Sequence, residues 1–273
     1  MNDPTSHPTL QQAVPSADAA SPLAQRALAA AHLFVRPRRR SADAAPAAAP
    51  ARALALPSGD LRYWAEGEGE PVLLVHGWEG ATTDLAGMAQ ALRARGQAVV
   101  WVELPAHGAS AVGWTSVPHA AQALSALGSA LGRLRGVIAH SVGGALAALA
   151  MADRLQVRRA ALIGAPAEYR DYVHRFAQQT GLGAEGGQAL SDALREQYGI
   201  DADRVSTAAA ARGLDVPALL IHSRDDPVVP FADAEVIAAA WPGARLLSVD
   251  GLGHRRTLSD PAVVAAAVGH VCA

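Results

Sequence analysis

The sequence predicts an α/β fold in which a mostly parallel central sheet carries helices on both faces. Short apolar blocks alternate with helical segments along the chain, and most blocks are apolar throughout, as is typical of strands buried on both faces. A chain of 273 residues is long enough for one such domain. The rhythm breaks over residues 167–215, which show helical segments and no strand, so a small helical cap is predicted there.

The predicted elements follow one another from residue 51 to the end of the chain. A hairpin is indicated over residues 52–66, where two strand-like stretches flank the turn at residues 57–60. The apolar blocks that predict parallel strands are residues 72–75, 98–102, 136–139, 160–163, 218–221 and 245–249. Helices are predicted over residues 82–95, 117–134, 142–154 and 233–241. A last helix begins with Asp260 as its N-cap and ends near Val271.

Residues 1–50 are predicted to form a flexible N-terminal extension of the domain formed by residues 51–273. The first 20 residues are rich in Pro, Ser, Ala and Gln, and residues 41–50 are almost entirely Ala and Pro, which is typical of mobile segments. Between them, residues 21–35 predict a docking helix. Its expected docking stripe consists of Leu23, Leu28 and Leu33.

Composition excludes several classes of function. The net charge of −2 provides no basic field for nucleic acid or an anionic membrane. The arginine cluster at residues 36–40 is interpreted as solvated charge, with an interaction segment as the alternative. The only cysteine, Cys272, excludes a disulfide framework, and the absence of lysine excludes P-loop, kinase and Schiff-base lysines. No transmembrane run or signal peptide is recognisable, so the cytoplasm is the expected location.

Residues 139–144, with the sequence Ala-His-Ser-Val-Gly-Gly, have the context of a nucleophile elbow. They follow a short apolar strand and begin an alanine-rich helix, so Ser141 is expected at a sharp strand-to-helix turn. Small residues two before and two after the serine permit this turn, although Ala139 replaces the usual glycine. The alternative is an ordinary helix cap by Ser141.

A serine nucleophile needs a base, and the base needs an orienting acid. Asp226 lies in the loop after the strand at residues 218–221, and His254 lies in the loop after the last strand. Sites of open α/β sheets form at the carboxyl ends of strands, so Ser141, Asp226 and His254 are expected to meet there. Asp225 is the alternative acid.

Together these motifs resemble those of the α/β-hydrolase superfamily, in its esterase- and lipase-like serine hydrolases. The matching elements span residues 72–254 in the family's order: His76-Gly77-Trp78, residues 104–110, the Ser141 elbow, the Asp226 loop and Gly253-His254. The resemblance assigns the acid to Asp226, three residues before Val229-Pro230. It also implies that the backbone N–H groups of Trp78 and Val142 form the oxyanion hole.

The resemblance implies hydrolysis of a small or medium carboxylic ester, with a small-molecule acyl substrate. Ser141 would attack the carbonyl carbon, His254 would take and return the proton, and water would release the acyl group. Thioester, C–C and peptide hydrolysis and acyl transfer use the same triad, and a catalytically silent small-molecule binder is the alternative outside the enzymes. The oligomeric state does not follow from the sequence.

A glycine-rich stretch at residues 181–186 matches a dinucleotide fingerprint but is interpreted as a turn between two cap helices. The fingerprint requires a strand before it, and residues 169–179 predict a helix instead. No metal-ligand spacing appears, so neither a metal nor a cofactor is expected. Catalytic roles are not expected for six other histidines, His76, His107, His119, His174, His222 and His270.

Overall fold

The structure, a computed structural model, describes residues 21–38, 49–110 and 113–273. The predicted mobile segment at residues 1–20, most of the linker at residues 41–50 and the last two arginines of the cluster lie outside the described residues. The strands are β1 (Arg52–Leu54), β2 (Leu61–Glu66), β3 (Val72–Val75), β4 (Val99–Glu103), β5 (Leu134–His140), β6 (Val157–Ile163), β7 (Ala218–Ser223) and β8 (Arg245–Val249).

The helices of the described residues surround these strands. They are α1 (Pro22–Phe34), α2 (Ala86–Arg93), α3 (Val117–Leu131), α4 (Val142–Asp153), α5 (Tyr169–Gln179), α6 (Gly186–Tyr198), α7 (Thr207–Ala211), α8 (Phe231–Ala240) and α9 (Pro261–Cys272). Short 3-10 turns lie at Thr82–Leu85, Ala202–Arg204 and Arg256–Leu258. None of these described helices is both long enough and apolar enough to span a bilayer.

The described strands form one eight-stranded sheet in the order β1-β2-β4-β3-β5-β6-β7-β8. Strand β2 pairs antiparallel with β1 and β4, and every other neighbouring pair is parallel. The predicted hairpin therefore forms the antiparallel edge of a mostly parallel sheet, which confirms the predicted fold class. The carboxyl ends of β5, β7 and β8, which precede Ser141, Asp226 and His254, lie at the same edge of the sheet.

Each face of the sheet buries its own apolar core. On β3, Leu73 and Val75 pack into the core that contains α3, α4 and α8, whereas Val72 and Leu74 pack into the core that contains α2 and α9. This follows from strand geometry, since successive side chains of a strand point to opposite faces. A strand covered by helices on both faces must be apolar at every position, which is the pattern that the sequence showed.

Two predicted helices differ from the structure by more than two residues at one end. The helix predicted over residues 117–134 ends at Leu131, because Gly132 has a φ of 76° that ends the helix and releases the chain into β5. The helix predicted over residues 82–95 begins as the 3-10 turn Thr82–Leu85 and becomes α-helical only at Ala86.

The cap is built from α5, α6 and α7 with the 3-10 turn at Ala202–Arg204, and no named strand lies between β6 and β7. Its apolar side chains, including Val173, Leu190 and Leu194, are buried in a third core. The glycine-rich stretch at residues 181–186 lies between α5 and α6, after a helix, as the interpretation as a turn requires.

The N-terminal helix α1 docks on the cap through a face that differs from the predicted one. Ala27 and Ala31 of α1 are fully buried in the cap core, whereas Leu28 and Leu33 are exposed. Leu23 packs, partly buried, against the cap core, so the predicted leucine docking stripe was wrong for Leu28 and Leu33. The small alanine side chains let α1 approach α5 and α6 closely, and they form the contact face instead.

Candidate active site

Ser141 occupies a strained turn between β5 and α4. Its backbone has φ 55° and ψ −130°, a region that non-glycine residues adopt at a cost of roughly 1–3 kcal/mol. The turn is held because the Ser141 N–H donates to the Ile163 carbonyl at 2.8 Å and the Gly144 N–H donates to the Ser141 carbonyl at 2.8 Å. Ser141 makes no side-chain capping hydrogen bond to α4, so the structure does not support the alternative of an ordinary helix cap.

Three chain segments meet so closely at this turn that only glycine fits. A Cβ on Gly143 would lie 2.4 Å from the His76 carbonyl oxygen, and one on Gly77 would lie 3.0 Å from the Cβ of Ser141. A Cβ on Gly144 would lie 2.6 Å from the Ala165 side chain. The glycines after the serine and in the His76-Gly77-Trp78 loop therefore bring that loop directly against Ser141.

Asp226 and His254 form a hydrogen-bonded pair at the ends of β7 and β8. His254 donates from Nδ1 to Asp226 Oδ2 at 2.7 Å, while Asp226 Oδ1 accepts from the N–H groups of Val228 and Val229 at 2.8 and 2.9 Å. The Asp226 side chain is buried, which opposes its ionisation. The hydrogen bonds from His222, His254 and the two backbone groups outweigh burial, so the pKa of Asp226 lies well below its usual range.

Asp225, the alternative acid, points to different partners. Its Oδ1 accepts a hydrogen bond from Ser223 Oγ at 2.5 Å and one from the Gly253 N–H at 3.3 Å. It therefore links the loop after β7 to the loop that carries His254. The structure places Asp226, and not Asp225, in hydrogen-bond contact with the imidazole.

Ser141 and His254 face one cavity of about 140 Å³. Its lining residues are Gly77, Trp78, Gly80, Asp84, His140, Ser141, His254, Arg255, Leu258 and Ser259. No hydrogen bond joins Ser141 to the His254 ring in this structure, although the two side chains share the cavity. Such catalytic hydrogen bonds are often long or poorly aligned before substrate binds.

Two histidines brace the loop that carries Trp78. His76 donates from Nδ1 to the Gly77 carbonyl at 2.8 Å and accepts at Nε2 from the Leu104 N–H at 3.1 Å. His107 accepts at Nε2 from the Glu79 N–H at 3.0 Å, and its ring packs edge-on against Trp78. Both rings hold backbone groups of the loop, which agrees with the non-catalytic interpretation of these histidines.

The two predicted oxyanion donors belong to residues near Ser141, since Val142 follows it in the chain and Trp78 lines the same cavity. Val142 is the first residue of α4, where a backbone N–H has no intrahelical acceptor. Within the described part of the chain the Trp78 N–H makes no hydrogen bond, and Trp78 lines the cavity. Both N–H groups are therefore without an acceptor among the described residues.

Two supporting histidines were not identified as such from the sequence. His140 donates from Nε2 to the His254 carbonyl at 3.0 Å, and the two rings lie 4.6 Å apart. His222 donates from Nε2 to the Val229 carbonyl at 2.9 Å and lies 3.4 Å from Asp226 Oδ2. His140 directly precedes the nucleophile, and His222 ends the strand before the acid, so their positions are the only signal that the sequence offers.

Buried histidines make the stability of the fold sensitive to acid. Burial lowers the pKa of His76 from 6.5 to about 3 and that of His140 from 6.5 to about 4. Below about pH 6.5, His76 and His140 therefore bind protons in the unfolded chain but stay neutral in the folded chain. We expect the free energy of unfolding to fall as the pH is lowered from 7 towards 4, with about two protons taken up by these histidines on unfolding.

Urea unfolding at pH 7, 6 and 5 checks this expectation, since the slope of stability against pH gives the proton uptake. A free energy of unfolding that stays constant over this range would contradict the neutral, buried state of His76 and His140.

The described residues contain no group of three or more His, Cys, Asp or Glu side chains arranged to hold a metal ion.

Comparisons with known proteins show the family to which the chain belongs. Residues 72–267 match the model of the alpha/beta hydrolase family. A pimeloyl-[acyl-carrier protein] methyl ester esterase of Xanthomonas campestris pv. campestris is 27% identical over 245 residues, which cover 74% of this chain and 94% of the relative.

Solved structures share the fold. An esterase from Exiguobacterium antarcticum superposes with a TM-score of 0.63 at 17% identity, covering 79% of this chain and 96% of that one. A bromoperoxidase from Bacillus anthracis superposes with a TM-score of 0.61 at 16% identity, covering 78% and 95%. The family match spans most of the sheet and all five predicted site residues, and the chain therefore belongs to the alpha/beta hydrolase family.

Proposed function

We propose that the protein is a serine hydrolase that cleaves a small or medium carboxylic ester through Ser141, His254 and Asp226. It is a hydrolase acting on ester bonds, in keeping with its family and with the esterase among its relatives. The observation that carries the proposal is the hydrogen-bonded His254–Asp226 pair, whose His254 lines the same cavity as Ser141 at its strained elbow.

Each group of the cavity has one role in this reaction. Ser141 Oγ attacks the carbonyl carbon of the ester while His254 Nε2 takes its proton, and Asp226 fixes the tautomer and stabilises the imidazolium that forms. The N–H groups of Trp78 and Val142 hold the oxygen of the tetrahedral intermediate. His254 then returns the proton to the departing alcohol, and water attacks the acyl-enzyme by the same route in reverse.

The size of the cavity favours a small group beside the nucleophile. Its volume is about 140 Å³. Gly77 and Gly80 line it without side chains, and Leu258 supplies apolar surface. A short acyl or alcohol group fits this space, so the proposed substrate is a small molecule. The proposed location of the enzyme is the cytoplasm.

Other reactions of the same fold are separated by a substrate panel, because the fold alone does not choose among them. We expect kcat/KM for short methyl, ethyl and nitrophenyl esters to exceed that for thioesters of the same acyl groups. Methyl esters belong in the panel because a relative is named for one.

The panel also distinguishes the competing proposals. A preference for thioesters would identify a thioesterase instead. If the folded protein binds these compounds but hydrolyses none of them, the catalytically silent binder is the correct alternative.

A further inference from the structure

An N-terminal strap, residues 21–38, runs from the cap to the loop that carries Trp78. The strap lies outside the segment that matches the family model, which begins at residue 72. Its helix α1 is anchored on the cap by buried alanines and by Arg26, whose Nη2 donates to the Gly181 carbonyl at 2.5 Å. After the helix, the Thr115 N–H donates to the Val35 carbonyl at 2.7 Å, so the path of the strap is fixed as it leaves the cap.

The strap ends on Glu79 through a fork of hydrogen bonds. Arg38 donates from its backbone N–H and from Nε to Glu79 Oε1 at 3.1 and 3.0 Å. Its Nη2 donates to Oε2 at 3.0 Å, which completes a bidentate guanidinium–carboxylate pair. Val35 and Pro37 are buried. Burial of these two residues fixes the backbone just before Arg38, so the position of Arg38 does not depend on the Arg38 side chain alone.

Glu79 lies in the turn that orients Trp78, whose N–H is a proposed oxyanion donor. It directly follows Trp78, its φ is 54°, and its N–H is held by the His107 ring. The orientation of the peptide groups on either side of Trp78 therefore depends on how this turn is held.

We propose that Arg38 is a positioning residue for the hydrolysis proposed above, acting through Glu79. The guanidinium holds the Glu79 carboxylate, and so holds the turn that presents the Trp78 N–H. The inference rests on the proposed function, because it concerns the transition state of that reaction. The arginine cluster was interpreted from the sequence as solvated charge. The inference instead gives Arg38 of this cluster, and with it the N-terminal extension, a role in catalysis.

The Arg38–Glu79 pair contributes little to the stability of the fold, so a loss of activity in an Arg38 variant would not be caused by unfolding. The Arg38 side chain is 90% exposed, and exposed ion pairs contribute little to stability. An Arg38→Ala variant is therefore expected to unfold at the temperature of the wild type.

For Arg38→Ala we expect kcat to fall by about fivefold with KM unchanged, because a less firmly held turn weakens the hydrogen bond that the Trp78 N–H makes only in the transition state. The substrate is the best ester of the panel. Arg38→Lys, which keeps the charge but loses the fork, is expected to fall between wild type and Arg38→Ala. The matched control is Arg36→Ala, since Arg36 is exposed and its side chain makes no hydrogen bond or ion pair with the described residues.

A double-mutant cycle shows whether Arg38 acts through Glu79. In a Glu79→Gln background, the further change of Arg38→Ala is expected to alter kcat by less than about twofold. The inference is overturned if Arg38→Ala turns over like wild type, if Arg36→Ala falls equally, or if the Arg38 effect is undiminished by Glu79→Gln. Failure of the proposed function is distinguishable, because the wild type itself would then hydrolyse no ester, and this inference would fall with it.

Discussion

Replacing Ser141 with alanine is expected to lower kcat for ester hydrolysis by roughly a million-fold, the scale on which loss of a triad serine acts. The reason is chemical, because the variant has no nucleophile at the elbow while the oxyanion donors remain. Alanine keeps the Cβ of serine and suits the same turn, whose hydrogen bonds are made by backbone atoms. The fold should therefore persist. The loss is measured by steady-state kinetics with the best ester of the panel.

The matched control for this variant is Ser259→Ala. Ser259 lines the same cavity as Ser141 but lies on the loop before α9, away from the elbow. Its removal should leave kcat within about threefold of wild type, as is usual for a side chain without a role in the reaction. If Ser141→Ala keeps substantial activity and Ser259→Ala does not, the nucleophile has been assigned to the wrong residue.

Replacing Asp226 with asparagine is expected to lower kcat by about 10⁴-fold, as the loss of the carboxylate does in other serine triads. In place of Oδ2, the amide has an N–H₂ group or a neutral carbonyl to offer to His254 Nδ1. Either choice favours the wrong tautomer or fails to stabilise the imidazolium. Asp226 stabilises a charge that forms only in the transition state, so its replacement should lower kcat and change KM much less.

Asp225→Asn is the control that separates the two neighbouring carboxylates. Asp225 bonds to Ser223 and Gly253 and does not contact the imidazole, so its loss should loosen the loop and reduce kcat by no more than about tenfold. A larger loss in Asp225→Asn than in Asp226→Asn would contradict the assignment of the acid.

The elements of the sheet and the elbow were predictable from the sequence because their signals are local. Strands buried on both faces must be apolar throughout, and β3 shows this pattern over its four residues. The Ser141 turn follows from a strand, a serine flanked by small residues and a helix. The choice of Asp226 over Asp225 did not follow from spacing alone, and it depended on a resemblance to the family.

The docking face of α1 was predicted incorrectly because a helix contact is stabilised by close packing of the two surfaces as well as by burial of large apolar side chains. Leucines such as Leu28 and Leu33 mark the larger apolar groups of the helix, yet Ala27 and Ala31 let it approach the cap closely. A sequence shows which side chains are apolar but does not show which surface they will meet.

The contacts around the site that join distant residues were not predictable. Arg38 and Glu79 are 41 positions apart, and both belong to residue types that are usually solvated. His140 and His222 support the His254–Asp226 pair only because four strands end together at one edge of the sheet. Such partners appear once the topology has brought the strand ends together.

The most direct test of the central claim is to treat the folded protein with a fluorophosphonate and locate the adduct by mass spectrometry. We expect one adduct per chain, on the Ser141 peptide, since only a serine with an adjacent base and oxyanion donors reacts rapidly with such a probe. Ser141→Ala should remain unlabelled. An adduct on another serine, such as Ser259, or a folded wild-type protein that takes up no label, would contradict the assignment of Ser141 as the activated nucleophile.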